Sequence, residues 1–140
     1  MTWLRRRARG QGLVEFAISI TIFLTILIGI VDLARGVYTF NGVSEAAREI
    51  ARETSVHVGT GGLGASSESV AMVATQRGLV PGLSVSSYTC IDLAGATVAG
   101  SCRPGDWVKV AVAAPFQPVL PFLVALGPIT LTSVSSAEIQ

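Results

Sequence analysis

One acidic residue lies inside a long apolar run near the start of the chain, and its chemistry needs an explanation. Glu15 is the only charged residue from Leu13 to Val31. A carboxylate among apolar side chains is stable only where it reaches a membrane surface or pairs with a positive group. Positive charge is close by, because four arginines precede the run: Arg5, Arg6, Arg7 and Arg9.

Few other residues suggest chemistry. His57 is the single histidine, and we interpret it as a solvated loop residue. Without a C-x-x-C pair or a histidine cluster, the sequence predicts no metal site and no cofactor. The glycine pattern at 59–64 matches G-x-G-x-x-G but lacks the strand that a dinucleotide site requires before it, which favours a linker. No catalytic motif is found, so we do not expect an enzyme; an envelope enzyme with an unrecognised site is a weaker alternative.

The run from Leu13 to Val31 is long enough to cross a bilayer, which requires roughly 20 apolar residues. One acidic residue costs roughly 2.5–3.5 kcal/mol on insertion, whereas each Leu, Ile, Phe or Val returns about 0.3–0.6 kcal/mol. The run holds 13 of these four residue types, so insertion is favourable. The sequence therefore predicts a span at 11–31, with the arginines cytoplasmic and the rest extracytoplasmic. A cleaved signal peptide is the alternative, but its apolar core would be only about 7–15 residues long.

A longer pattern covers the first third of the chain. Gly10 is followed, five positions later, by Glu15-Phe16 at the head of the apolar run, and the pattern continues through Asp32, Arg35 and the string Ala46-Ala47-Arg48-Glu49. These features resemble the TadE-like family, whose members are minor pilins or pseudopilins of the tight-adherence (Flp) type IV pilus, a machinery of adhesion and secretion. The resemblance implies a pilin-like fold. It also implies three kinds of partner: a prepilin peptidase, other pilins and pilus assembly proteins.

Cleavage after Gly10, which the resemblance implies, would remove all four arginines and give Gln11 a free amino group. Gln11 and Glu15 lie four positions apart on one helical face, so an ammonium and a carboxylate can meet there. The resemblance also implies that Glu15, with Phe16 beside it, acts in assembly by pairing with the amino group of a neighbouring subunit. A paired carboxylate among packed helices is much less costly than an unpaired one. The alternative is that Glu15 only reaches back to the membrane surface.

The predicted helix continues outside the span. No proline interrupts residues 32–53, and apolar residues at spacings of three and four form one stripe: Leu33, Val37, Phe40, Val43, Ala47 and Ile50. We expect residues 32–55 to be a helical extension that buries this stripe against the C-terminal part. Asp32 and Arg35 predict an ion pair at the membrane exit rather than a functional site.

The remaining sequence predicts a small α+β domain. A Gly-rich linker at 56–65 precedes a short helix with Ser66 as its N-cap and Arg77-Gly78 as its end. Alternating residues then predict three antiparallel strands, at 83–93, 107–114 and 129–138, with a proline-rich loop between the last two. In the first strand, the alternation places Val85 with Ile91 on one face and Tyr88 with Cys90 on the other.

The fold class that follows is α+β, with the long helix packed against a short helix and a small antiparallel sheet. We divide the chain into a basic leader (1–10), a transmembrane helix (11–31), its extension (32–55), the linker (56–65) and an extracytoplasmic domain (66–140). A domain of this size needs support. Outside the cytoplasm, Cys90 and Cys102 are expected to form a disulfide, and two free thiols are the alternative.

Two functions agree with these features. The favoured one is a minor pilin or pseudopilin that a prepilin peptidase processes after Gly10. The alternative is an uncleaved single-span anchor or scaffold of the cell envelope. Both place the protein in the cell membrane, and the first adds entry into the pilus. The net charge of +1 falls to −3 when the four leader arginines are removed, which argues against a nucleic-acid partner. We expect no small-molecule substrate.

Overall fold

The computed structural model describes residues 3–58, 62–98, 102–120, 124–125 and 127–140, with the side chains of the first helix described from Gly10 onward. Two helices and four strands lie in this part of the chain. They are α1 (Trp3–Val56), α2 (Ser67–Leu79), β1 (Ser84–Ile91), β2 (Thr97–Val98), β3 (Trp107–Phe116) and β4 (Ile129–Glu138). A long helix, a short helix and one small antiparallel sheet confirm the predicted α+β, pilin-like class.

Helix α1 is 54 residues long. At 1.5 Å per residue it measures about 80 Å, more than twice the thickness of a bilayer core. It passes without a break through Gly10 and Gly12, because each glycine costs only about 1 kcal/mol relative to alanine and no proline follows. Its part from Gly10 to Val56 is long and apolar enough to cross a membrane once.

The C-terminal half of α1 packs into the hydrophobic core. Its buried apolar side chains are Val43, Ala46, Ala47, Ile50 and Ala51. Three of these are alanines, whose small side chains let the helix approach the sheet closely. The facing strand β3 contributes the centre of the core with three fully buried valines, Val108, Val110 and Val112, as its alternation predicts.

The N-terminal half of the predicted stripe is not buried. Leu33, Val37 and Phe40 are 70%, 53% and 47% exposed. The prediction that the whole stripe is buried is therefore wrong for these three residues. The physical reason is that the edge of the sheet lies at this level. Strand β3 ends at Phe116 and β4 begins at Ile129, so the sheet does not extend over this part of the helix.

Helix α2 begins where its sequence predicts. Ser66 is the N-cap, and its Oγ accepts a hydrogen bond from the backbone N–H of Ser69 at 3.1 Å. At its other end, α2 is followed by Val80, which packs against α1 at Gly42. A Cβ on Gly42 would lie 3.0 Å from Cγ2 of Val80, so the glycine permits this close approach.

The sheet has the order β2-β1-β3-β4, and every neighbouring pair is antiparallel. Its first strand does not alternate as predicted. The register shifts between Val85 and Ser87, so that Val85 lies opposite Val112 and Cys90 lies opposite Val108. Val85 and Cys90 therefore share the face that packs on α1. The prediction of opposite faces is wrong because a bulge adds one residue to the strand and reverses the alternation.

Two further differences concern strand number and length. A fourth strand, β2, was not predicted; it has only two residues and pairs with the end of β1. Strand β3 continues to Phe116, although the sequence predicts that Pro115 ends it. Pro115 pairs with Thr130 of β4, whereas the pairing of β1 with β3 stops at Ala113. Only one strand neighbours the proline, and proline is accepted at such positions because its missing N–H leaves no second strand unpaired.

A disulfide joins Cys90 and Cys102, as predicted, with a Cα–Cα distance of 5.7 Å. Both half-cystines are buried in the core cluster, which also includes Val108 and Ile139. The bond closes the segment that carries β2. It thereby ties a two-residue strand, which could not be stable alone, to the centre of the sheet.

We expect the double substitution Cys90→Ser and Cys102→Ser to lower the free energy of unfolding by about 3 kcal/mol, because the unfolded chain regains the freedom of a loop of this size. Urea unfolding of the full chain in detergent micelles, followed by tryptophan fluorescence, measures this change. Reduction of the unsubstituted protein should have the same effect. An unchanged midpoint in both experiments would show that the bond does not stabilise the domain.

Candidate functional site

From Leu13 to Val31, α1 presents an apolar surface that the described rest of the chain leaves largely uncovered. Leu13 is 72% exposed, Phe16 66% and Ile22 57%. None of the most apolar 18-residue stretch of the helix is buried. An apolar surface of this extent marks a contact with lipid or with another protein. We therefore expect lipid or another protein to cover this part of α1.

Glu15 lies on this uncovered surface. A shallow depression on one side of α1 is bordered by Gly10, Gln11, Val14, Glu15 and Ile18, so Gln11 and Glu15 share a face as their spacing predicts. Among the described side chains, which do not include the leader arginines, Glu15 has no salt bridge. The residue is exposed among the described side chains, so its carboxylate can be reached by a positive group from another chain.

A second carboxylate, that of Asp32, is placed very differently. It is 4% exposed and lies on α1 directly after the apolar run. Its Oδ2 accepts hydrogen bonds from the backbone N–H groups of Val119, at 2.8 Å, and Leu120, at 3.0 Å. Its Oδ1 accepts one from Arg35 at 3.0 Å. One side chain thus connects the end of the apolar helix to the loop between β3 and β4.

These contacts affect the charge of the carboxylate. The hydrogen bond from the backbone N–H of Leu120 stabilises the ionised form most strongly. The hydrogen bond from Val119 and the positive charge of Arg35 act in the same direction. Burial opposes them but is outweighed. As a result, the pKa of Asp32 lies below its ordinary value of 3.8.

An apolar groove opens beside this connection. The ring of Phe116 lies against Gly36 of α1, and the guanidinium of Arg35 lies 5.8 Å from the centre of the same ring. The groove is lined mainly by the exposed part of the stripe and by the ends of the two strands, with Leu33, Val37, Phe40, Ile129 and Leu131 among its residues. Its volume is about 540 Å³.

The other sequence candidates give no reactive cluster. His57 is exposed and lies just after the end of α1, as predicted, and its Nδ1 lies 3.0 Å from Oε1 of Glu53. The first three residues of the glycine pattern lie outside the described residues. Gly62 and Gly64 have positive φ angles, which is typical of a turn. Within the described ranges, no group of three or more metal-ligating side chains is found.

The connection between Asp32 and the loop is the feature that sequence reasoning missed. The sequence correctly predicts the ion pair between Asp32 and Arg35 but indicates no further role for Asp32. The partners lie 87 and 88 residues away and are backbone groups, so no side-chain pattern reveals them. The one available signal is the position of an acidic residue at the end of an apolar run, where an ionised carboxylate needs more than one donor.

The described residues form a pilin-like α+β domain on a helix with one segment long and apolar enough to span a membrane. Residues 10–52 match the family described as TadE-like protein. The match begins at Gly10, includes Glu15 and Asp32, and ends within the part of α1 that packs on the sheet. It confirms the resemblance inferred from the sequence over this segment. No curated protein and no solved structure matches the chain significantly.

We expect Asp32→Asn to release the loop from α1. The amide can neither carry the charge nor accept with both of its terminal atoms, so the N–H groups of Val119 and Leu120 lose a charged acceptor. Their hydrogen exchange should become about tenfold faster. The matched control is Glu45→Gln, which removes the carboxylate of an equally spaced but exposed pair with Arg48 and should leave this exchange unchanged.

The pH dependence separates a charge effect from a packing effect. Because the folded-state pKa of Asp32 is depressed, its contribution to stability is fully present above 3.8. It is lost as the pH falls from that value through the lower pKa of the folded state. The difference in loop exchange between the wild type and Asp32→Asn should therefore disappear in this acidic window. A difference that persists there would contradict the role of the charge.

Proposed function

We propose that this protein is a minor pilin or pseudopilin of a tight-adherence type IV pilus. A prepilin peptidase removes residues 1–10, and the exposed part of α1 then packs among the helices of other pilus subunits. The observation that carries the proposal is the position of Glu15. It is the single charged side chain from Leu13 to Val31, five residues after a glycine, in the uncovered apolar part of α1.

The surroundings of Gly10 support cleavage at this point. Apart from the backbone of the helix itself, no described residue comes within 4 Å of a Cβ built on Gly10 or Gly12, so the described domain does not obstruct a peptidase. Two glycines within three residues also make the helix locally weak, since each disfavours helix by about 1 kcal/mol. The bond after Gly10 is therefore accessible and the helix around it is easily opened.

The surroundings of Glu15 support a role in assembly. After cleavage, the amino group of Gln11 would lie one helical turn from the carboxylate on the same face. A neighbouring subunit presents the same pair, so an amino group of one chain can meet Glu15 of the next. In apolar surroundings, such a pair is strongly favoured over two separate charges, which makes the relative position of the subunits specific.

The proposal also states location and partners. The four leader arginines keep the N-terminus in the cytoplasm and place the domain outside it. The partners are the prepilin peptidase, other pilins and pilus assembly proteins. The disulfide between Cys90 and Cys102 agrees with an extracytoplasmic domain, where such bonds persist.

We expect Gly10→Val to abolish processing, because a branched side chain then stands at the cleaved bond. A C-terminally tagged chain expressed in cells with a pilus machinery should keep its leader and migrate more slowly on a gel. Gly12→Val is the matched control, since both glycines are exposed and no described side chain lies beside either of them. It should still be processed. Equal migration of the Gly10→Val variant and the wild type would contradict the proposal.

We expect Glu15→Gln to be processed normally but to assemble poorly, because the glutamine keeps the shape of the side chain and loses the charge that pairs with an amino group. Crosslinking of the tagged chain to other subunits in intact cells should fall by about tenfold, as for the loss of one charged hydrogen bond. Glu45→Gln removes a carboxylate from the exposed side of α1 and should crosslink like the wild type. Undiminished crosslinking of Glu15→Gln would remove Glu15 from the assembly mechanism.

The second candidate is an uncleaved anchor that holds the domain at the membrane as a scaffold. One observation favours it: α1 is regular from Trp3, so the leader continues the helix and is not set apart by a turn. This function predicts that both the wild type and Gly10→Val keep the leader.

A further inference from the structure

We propose that the loop between β3 and β4 is a second membrane contact and rests in the outer lipid interface, beside the end of the transmembrane helix. The described residues that carry this contact are 117–120 and 124–125. The inference rests on the single span at 11–31 that belongs to the proposed function. It is independent of whether the leader is cleaved.

The loop reaches the level of the apolar helix. The two hydrogen bonds to Asp32 hold the backbone of Val119 and Leu120 against the first residue after the span. Cδ1 of Leu120 lies 3.7 Å from the position that a Cβ on Gly29 would occupy, and Gly29 is inside the span. The loop therefore extends past Asp32 in the direction of the membrane.

Val119 extends this contact. Together with Leu27, Ile28 and Val31 it borders one shallow surface on the side of α1. At 1.5 Å per residue, Leu27 lies about 7.5 Å below Asp32 along the helix. Lipid that covers the last turns of the span must consequently also touch Val119.

The composition of the loop suits lipid. Residues 117–128 read QPVLPFLVALGP and contain no charged side chain. Val119 is 59% exposed and Val124 is 45% exposed. The loops at the opposite end of the sheet differ, because they carry the charges of Asp92, Arg103 and Asp106. One end of the domain is thus apolar and the other polar, as expected for a domain that lies with one end on a membrane.

Arg35 marks the boundary between the two environments. Its side chain is 51% exposed, one turn beyond Asp32, and donates to that carboxylate through Nη1. A guanidinium has five N–H donors, so several are left for the phosphate oxygens of lipid headgroups. Apolar side chains on the membrane side and a cation at phosphate level form the usual sequence of groups at a membrane surface.

Nitroxide labelling of the full chain tests this contact. Val119→Cys and Val124→Cys are labelled in turn and reconstituted in vesicles of phosphatidylethanolamine and phosphatidylglycerol. The native cysteines are held in the disulfide, so the label attaches only to the introduced thiol. Collision rates with oxygen, which dissolves in lipid, and with a nickel chelate, which stays in water, are compared at each site.

Two control sites make the result decisive. Val134→Cys replaces a valine of similar exposure, 52%, in the middle of β4, and Leu24→Cys reports on the span itself. We expect the oxygen-to-nickel ratio at 119 and 124 to be several-fold higher than at 134 and to approach that at 24. A ratio like that of position 134 would overturn the proposal. Low collision rates with both reagents would also overturn it, by showing that a neighbouring protein covers the loop. A low ratio at 24 would show that the span itself is wrong, which separates that failure from failure of the loop contact.

Discussion

An apolar helical surface that its own domain leaves open must be covered by something else, and this constraint governs the whole molecule. From Leu13 to Val31, α1 presents such a surface, and Glu15 is its only charged residue. Lipid covers it while the chain is in the membrane, and the helices of other subunits can cover it in an assembly. The same surface is compatible with both because neither environment requires polar groups apart from a partner for the one carboxylate. A transfer from membrane to assembly therefore needs no refolding of the domain.

The domain depends on the other half of the same helix. Buried small residues of α1 pack directly on the valines of β3, so the helix is part of the core and cannot separate from the sheet without unfolding it. Asp32 adds a second connection at the end of the apolar run, through the backbone of Val119 and Leu120. Between these two regions lies the groove beside Phe116, where the sheet has ended and the helix is uncovered on one side. The domain is thereby held in one orientation relative to the apolar part of α1.

Sequence reasoning was successful where the signal is local. The helix, the N-cap Ser66, the alternation of β3 and the pairing of the two cysteines all follow from spacing or residue type. It failed where distant parts of the chain decide the outcome. The bulge after Val85 reverses a face that alternation alone assigns, and the burial of Leu33 depends on where the strands end rather than on the helix. Asp32 shows the same limit at the candidate site, since its carboxylate accepts hydrogen bonds from backbone N–H groups almost ninety residues away in the chain. Glu15 was identified because its position relative to Gly10 is a local pattern, whereas its role in assembly remains a prediction.

The most direct test of the central claim is the intact mass and N-terminal residue of the unmodified protein, purified from cells that carry their own pilus machinery. The account predicts a chain that begins at Gln11, without the arginine leader and with a free amino group one turn from Glu15. A chain that begins at Met1 or Thr2 would contradict it. The helix would then be a permanent anchor, and the protein a scaffold of the envelope rather than a processed pilus subunit.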